Sequence, residues 1–147
     1  MQVQIDYFGD NPPGDATRYI VGKYTAELVD QVLRDLDEFS LKPHLKEKSL
    51  SQLYSLIVCV EAKIKPHVEK ILTRIVYKDI LDEEPGIANR VLKITELLGL
   101  YVPMDFMLPK IITHLTDSES KSVPMYVSSC LTALSAVITY SSVRFAD

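Results

Sequence analysis

The chain has 147 residues, 47% of them apolar and 24% charged, and a formal net charge of -4. That length supports one domain with its own core, and the apolar share excludes a disordered chain. The acidic surplus argues against a dedicated nucleic-acid binder, no run of about 18 apolar residues offers a membrane span, and MQVQIDYFGD lacks the basic start and apolar stretch of a secretory signal.

Residues 1–15 read as an irregular N-terminal tail, in which Val3, Ile5 and Tyr7 alternate over a stretch too short to carry a sheet. Helices are then expected over 15–22, 24–38, 43–60, 64–80, 85–100, 103–115 and 122–140. They are of two kinds. Outer helices carry the stripes Leu28, Val32, Leu33, Leu36; then Val68, Ile71, Leu72, Ile75, Val76; then Phe106, Leu108, Ile111, Ile112, Leu115. Inner helices carry Leu50, Leu53, Leu56, Ile57; then Val91, Ile94, Leu97, Leu98; then Leu131, Leu134, Val137, Ile138. The three inner sets are offset by 41 and then 40 residues, and all twelve positions are apolar. Within each set the spacing i, i+3, i+6, i+7 makes one stripe on a helix. A fixed period of about 40 residues marks a solenoid, here with approximate repeats 24–62, 63–101 and 102–141 in one domain over 16–147. A helix pair cannot bury such a stripe alone, so successive pairs stack.

The punctuation agrees with these stripes. Pro43, Pro66, Pro85, Pro103 and Pro124 fall near proposed helix starts, where a fixed φ is pre-set and the missing N–H breaks no internal bond. Gly22 and Gly99 each follow two large aliphatics and are expected to end helices in the left-handed conformation. Pro109 falls inside a helix and is expected to bend it.

A two-helix repeat of about 40 residues resembles the HEAT family, and the resemblance covers residues 16–140. Pro109 after Met107-Leu108 looks like the internal proline of the first helix of a HEAT repeat. Asp82 and Asp117 look like the turn aspartate, and Ile87, twelve residues before Gly99, looks like the valine of the second helix's Val-Arg pair. Ala88 stands where that arginine would be, and Leu45-Lys46 keeps only a conservative version of the pair. The usual charged ladder between repeats is therefore in question. The resemblance implies an all-α chain, a right-handed α-α superhelix of the HEAT/armadillo type, with about three helix pairs and a partial N-terminal helix.

Three stretches are similar to the HEAT-repeat factors that assemble axonemal dynein arms: Tyr24-Thr25-Ala26-Glu27-Leu28 through Leu33-Arg34-Asp35-Leu36, Leu45-Lys46-Glu47-Lys48-Ser49, and Ile94-Thr95-Glu96-Leu97-Leu98-Gly99. That similarity implies a cytoplasmic, non-catalytic scaffold without a cofactor. Its partners would be proteins (dynein chains, assembly factors or chaperones), with no nucleic acid and no membrane. The alternative is a generic HEAT adaptor of another pathway, transport-receptor-like or phosphatase-scaffold-like. An inner helix should precede Gly22, yet Asn11-Pro12-Pro13-Gly14 interrupts it. The chain is therefore expected to be a fragment, a truncated gene product or a divergent copy, whose open ends offer a route to self-association.

Catalytic and metal readings find little support. His44, His67 and His114 lie 23 and 47 residues apart, without ligand spacing. Cys59 and Cys130 sit on apolar stripes and read as buried, reduced thiols, which suits a reducing compartment. The acidic runs Asp35-Leu36-Asp37-Glu38 and Asp82-Glu83-Glu84 fall at helix ends and turns, where solvated carboxylates are ordinary. Lys42, Lys46 and Lys48, with Lys63, Lys65 and Lys70, could form an anion site but read more simply as a solvated face. Glu61–Lys65 and Asp30–Arg34 have the i, i+4 order that steadies an exposed helix. Ser118, Ser120 and Ser122 flank Lys121 in a turn and read as a polar loop.

In HEAT arrays the second helices line the concave side. With the inner stripes taken as core, the opposite face holds Lys48, Gln52, Ser55; Asn89, Lys93, Glu96; and Ser129, Ala133, Ala136. This nine-residue ladder is the candidate protein-binding surface. Its small third set suggests a groove for a partner helix.

Overall fold

A computed structural model of the chain describes residues 14–117 and 124–145. The tail proposed for residues 1–15 therefore lies almost wholly outside the described residues, as do Ser118, Ser120 and Ser122. Among the described residues every element is helical. Helix α1 is Asp15–Lys23, α2 is Thr25–Glu38 and α3 is Pro43–Val60. Residues 61–79 form one irregular rod, α4. It opens with a 3₁₀ stretch, Glu61–His67, and passes through a π-helical one, Leu72–Val76. Helices α5 (Pro85–Tyr101), α6 (Met104–Thr116) and α7 (Pro124–Phe145) follow. The expected boundaries are matched to within a few residues.

The helices pair as the repeat requires, α2 with α3, α4 with α5 and α6 with α7, while α1 leans on α3. The second helices lie directly on one another, α3 on α5 and α5 on α7. Pro43 and Pro85 are the first residues of α3 and α5, where proline's missing N–H removes nothing. Pro66 sits inside the 3₁₀ stretch of α4, where it donates no backbone bond and the regular ladder is absent.

Burial follows the stripes in the first two repeats. Leu50, Leu53, Leu56 and Ile57 are fully buried, as are Val91, Ile94 and Leu98, and Leu97 is partly so. Val68, Ile71, Leu72, Ile75 and Val76 are buried to the last side chain. The third repeat departs. Of its inner set only Val137 is fully buried, while Leu131 is 51% and Ile138 44% exposed. Cys130 and Ala133 take the core positions instead. In α6, Met107 and Ile111 are buried, while Ile112 is 43% exposed.

Gly99 explains the third junction and corrects its expected role. It does not end a helix; it lies inside α5 and is buried. A Cβ placed on it would come within 2.9 Å of the Val137 Cα and carbonyl oxygen. The missing side chain lets the backbones of α5 and α7 approach. Gly22 likewise lies inside α1, with the Lys63 ammonium beside it. The one residue with positive φ that is not glycine is Glu61 (φ 52), at the α3–α4 junction, among the described residues.

Charged contacts run between repeats rather than along helices. Asp30 pairs with Lys70, Asp37 with Arg74, Glu69 with Lys110 and Glu61 with Arg18. Arg90 donates to Ser51 Oγ at 2.9 Å and lies 3.8 Å from the Glu47 carboxylate. The i, i+4 partners expected for Asp30 and Glu61 are replaced by these longer-range ones. Lys46 and Asp79 form a pair at 3.1 Å with only 9% of each side chain exposed. A charged ladder is thus present, carried by Lys46 and Arg90, although Ala88 occupies the expected arginine position. The proposed lysine cluster is dispersed: Lys46 and Lys70 are paired with carboxylates, and Lys65 lies over the Phe106 ring.

Candidate protein-binding surface

The surface formed by α3, α5 and α7 carries two adjacent grooves, with α5 as their shared wall. One, of about 320 Å³, is lined by Ser51 and Tyr54 of α3 and Asn89, Arg90 and Lys93 of α5. The other, of about 510 Å³, is lined by Leu92 and Glu96 of α5 and by Leu131, Thr132, Ser135, Ala136, Thr139 and Tyr140 of α7. Charge separates them: the first holds two cations, the second a single carboxylate.

Five of the nine expected residues lie on this surface. Lys48, Asn89 and Lys93 are exposed, and Gln52 and Glu96 are half-buried. The other four are corrected. Ser55 and Ala133 are fully buried, Ser129 nearly so, and Ala136 keeps only 9% exposure as the floor of the second groove. For the three on α7 the physical reason is the approach at Gly99, which brings that face against α5; Ser55 lies on α3 and is buried between that helix and its neighbours. Small side chains do permit close backbone contact, but the helix that exploits them is the chain's own α5, not an external partner. With that face turned inward, Leu131 turns out.

Residues missed by the sequence reading complete the grooves. Arg90, Tyr54 and Tyr140 were hidden because the stripes place them at the boundary between core and surface. The Tyr140 hydroxyl donates to the Glu96 carboxylate, and this bond with that charge raises the phenol above its ordinary value. Thr132 and Thr139 bond back to the carbonyls of Ser128 and Ser135 at 2.8 Å. Their hydroxyls are satisfied within the helix.

Cys59 and Cys130 are free and buried, and burial pushes both thiols up, away from nucleophilic thiolate. His67 is held below its ordinary value of 6.5, first by burial and then by Lys70. His114 stacks on Tyr77 with ring centroids 4.1 Å apart. Among the described residues, no three His, Cys, Asp or Glu side chains gather as metal ligands, and no helix is long and apolar enough to cross a membrane.

The stacked pairs and their second-helix surface have a counterpart among known proteins. The sequence profile of the HEAT-repeat domain of dynein axonemal assembly factor 5 matches residues 8–144. The chain belongs to that HEAT-repeat family. It is 26% identical over 123 residues to dynein axonemal assembly factor 5 of Xenopus laevis, which covers 84% of the chain. The chain spans 14% of that relative's length. No solved structure matches. Within the family's repeat, the two grooves lie between consecutive second helices, so each is a junction between neighbouring repeats.

Proposed function

We propose that the chain is a non-catalytic scaffold that assists the pre-assembly of axonemal dynein arms in the cytoplasm. The observation that carries the reading is the match of nearly the whole chain to the HEAT-repeat domain of an axonemal dynein assembly factor. Its partners would be dynein chains, other assembly factors or chaperones, held through Lys48, Gln52, Asn89, Lys93 and Glu96. A solenoid suits this work because its stacked helices present one extended, continuous face to a partner.

The test is affinity capture from ciliated cells with tagged wild-type chain and with the double charge reversal Lys93→Glu, Glu96→Lys. Dynein chains or assembly chaperones should be recovered by the wild type and depleted about tenfold with the variant. Both positions are at the surface, so folding, checked by circular dichroism, should be unchanged. Recovery of transport-receptor or phosphatase subunits instead would move the chain to a general adaptor role. Equal recovery by both proteins would remove these residues from the binding face.

A further inference from the structure

His67 closes the 3₁₀ stretch of α4, where the rod turns α-helical over Val68–Ile71. The stretch begins at Glu61 with its positive φ and contains Pro66, which has no N–H to donate. The His67 ring is half-buried, and its Nδ1 is sealed from solvent with no hydrogen-bond partner among the described residues. A neutral imidazole tolerates that site, because its proton sits on Nε2 and only an acceptor lone pair at Nδ1 goes unused. An imidazolium does not. Its second N–H would be buried at Nδ1 with nothing to receive it, and a charged donor left unmatched is the costliest kind.

The neighbouring charges leave no relief for such a proton. Lys70, on the same rod, and Asp30, across the joint on α2, both act on the ring, and they pair with each other at 3.3 Å. Elsewhere on the rod Glu61 is held by Arg18, Lys63 lies beside Gly22, Lys65 sits over Phe106 and Glu69 pairs with Lys110 of α6. Along α2, Arg34 and Asp35 bond Gln31, Asp37 holds Arg74, and Glu27 and Glu38 are exposed near the two ends. Helix α3, which also packs on the 3₁₀ stretch, has no charged residue from Ser49 to Val60, and its Tyr54 and Cys59 take up no proton as pH falls. A proton on His67 therefore sets a second cation beside Lys70, with Asp30 shared between them. Burial first, and then Lys70, outweigh Asp30 and hold the imidazole below 6.5.

We infer that the α2–α4 joint, which holds the first repeat to the second, is acid-sensitive: His67 must be neutral for the 3₁₀ stretch to stay packed, and its protonation loosens that stretch. The joint works in this way whatever the scaffold binds. Because the folded chain takes up this proton less readily than the unfolded one, stability is full above about pH 6.5 and falls as the pH drops below it. Below both midpoints, each unit by which the native one lies under 6.5 multiplies the unfolding constant by about ten.

The test is an NMR titration of the imidazole protons in the full chain, assigned with His67→Gln, beside urea unfolding at about pH 7.5 and about pH 5.5, a window above the carboxylate range. The His67 midpoint should lie below 6.5, rise in Lys70→Gln and fall further in Asp30→Asn. The wild type should lose more stability across the window than His67→Gln does, and the double variant His44→Gln, His114→Gln should keep the wild-type loss. Amides of residues 64–71, corrected for intrinsic exchange, should lose protection before those of α5. A midpoint at or above 6.5 overturns the inference, and so does an equal loss in wild type and His67→Gln. A gain in stability on acidification overturns it too, since the imidazolium would then have taken Asp30 from Lys70. Should His67→Gln fail to fold, the opposite shifts in Lys70→Gln and Asp30→Asn carry the test, because both side chains are about half exposed; a midpoint unmoved by either refutes the joint.

Discussion

Helices α3 and α7 occupy the same place in their repeats, and they differ in how much of their large aliphatic stripe is covered. Helix α3 buries Leu50, Leu53, Leu56 and Ile57 and shows solvent mainly polar side chains. Helix α7 buries Ser129, Cys130, Ala133 and Ala136 and leaves Leu131 and Ile138 half in solvent. Helix α3 is flanked by α1 and α2 on one side and α5 on the other, whereas among the described residues α7 packs only against preceding elements, chiefly α4, α5 and α6. Helix α5 touches both. Toward α3 it offers a surface that accommodates large aliphatics; toward α7 it offers Gly99, and the backbones close to a distance at which no Cβ fits. At that junction the missing side chain sets how closely the two helices pack.

The contrast can be broken at several points. The largest effect belongs to the charged pair that anchors the start of α3, for which α7 has no equivalent among its uncharged residues. Asp79→Ala strands the Lys46 ammonium where only 9% of its side chain reaches solvent. It should cost about 3–5 kcal/mol in urea unfolding, and adding Lys46→Met should recover most of the loss. Truncating a large side chain in α3 comes next. Leu53→Ala should cost about 2–5 kcal/mol, as cavities in filled cores do. The α5–α7 junction should respond to the reverse change. Gly99→Ala adds a single methyl and should still cost about 1–3 kcal/mol, because the atoms it meets are backbone and cannot swing aside. Smallest of all is Leu131→Gln, expected within about 0.5 kcal/mol of wild type, although the repeat pattern alone would rank it with Leu53.

Much of this was legible in the sequence, and the failures are instructive. The period of about 40 residues, the helix boundaries and the starts at Pro43 and Pro85 all rest on local signals that tertiary packing had no reason to override. The third stripe is less buried than its pattern implies: Leu131, Leu134 and Ile138 keep the apolar spacing, while Cys130, Ala133 and Ala136 supply an equally helical stripe of smaller volume that faces the core. Periodicity cannot choose between two stripes on one helix; a close backbone approach can. From sequence Gly99 reads as a helix stop because glycine's conformational freedom is its more frequent use, whereas in the structure its missing side chain is what matters. Glu61 gave no warning at all: its positive φ occurs where glycine would be the usual signal. Of the candidate surface, Lys48, Gln52, Asn89, Lys93 and Glu96 are exposed or half-buried, while Ser55 of the first set and Ser129, Ala133 and Ala136 of the third are buried. Arg90 escaped notice because it reaches across a junction to Ser51 and Glu47, a contact that no spacing within one helix encodes.

The most direct test of this packing is an NMR measurement of contacts between α5 and α7 in the isotope-labelled chain. The structure requires strong cross-relaxation between the Gly99 and Val137 α-protons, with the Ala133 methyl in contact with α5. It also requires that the Leu131 methyls show no contact with Ile94 or Leu98. Cross-peaks from Leu131 and Ile138 to those two core residues, with Gly99 distant from Val137, would mean that α7 is rotated and that the apolar groove it shares with α5 does not exist.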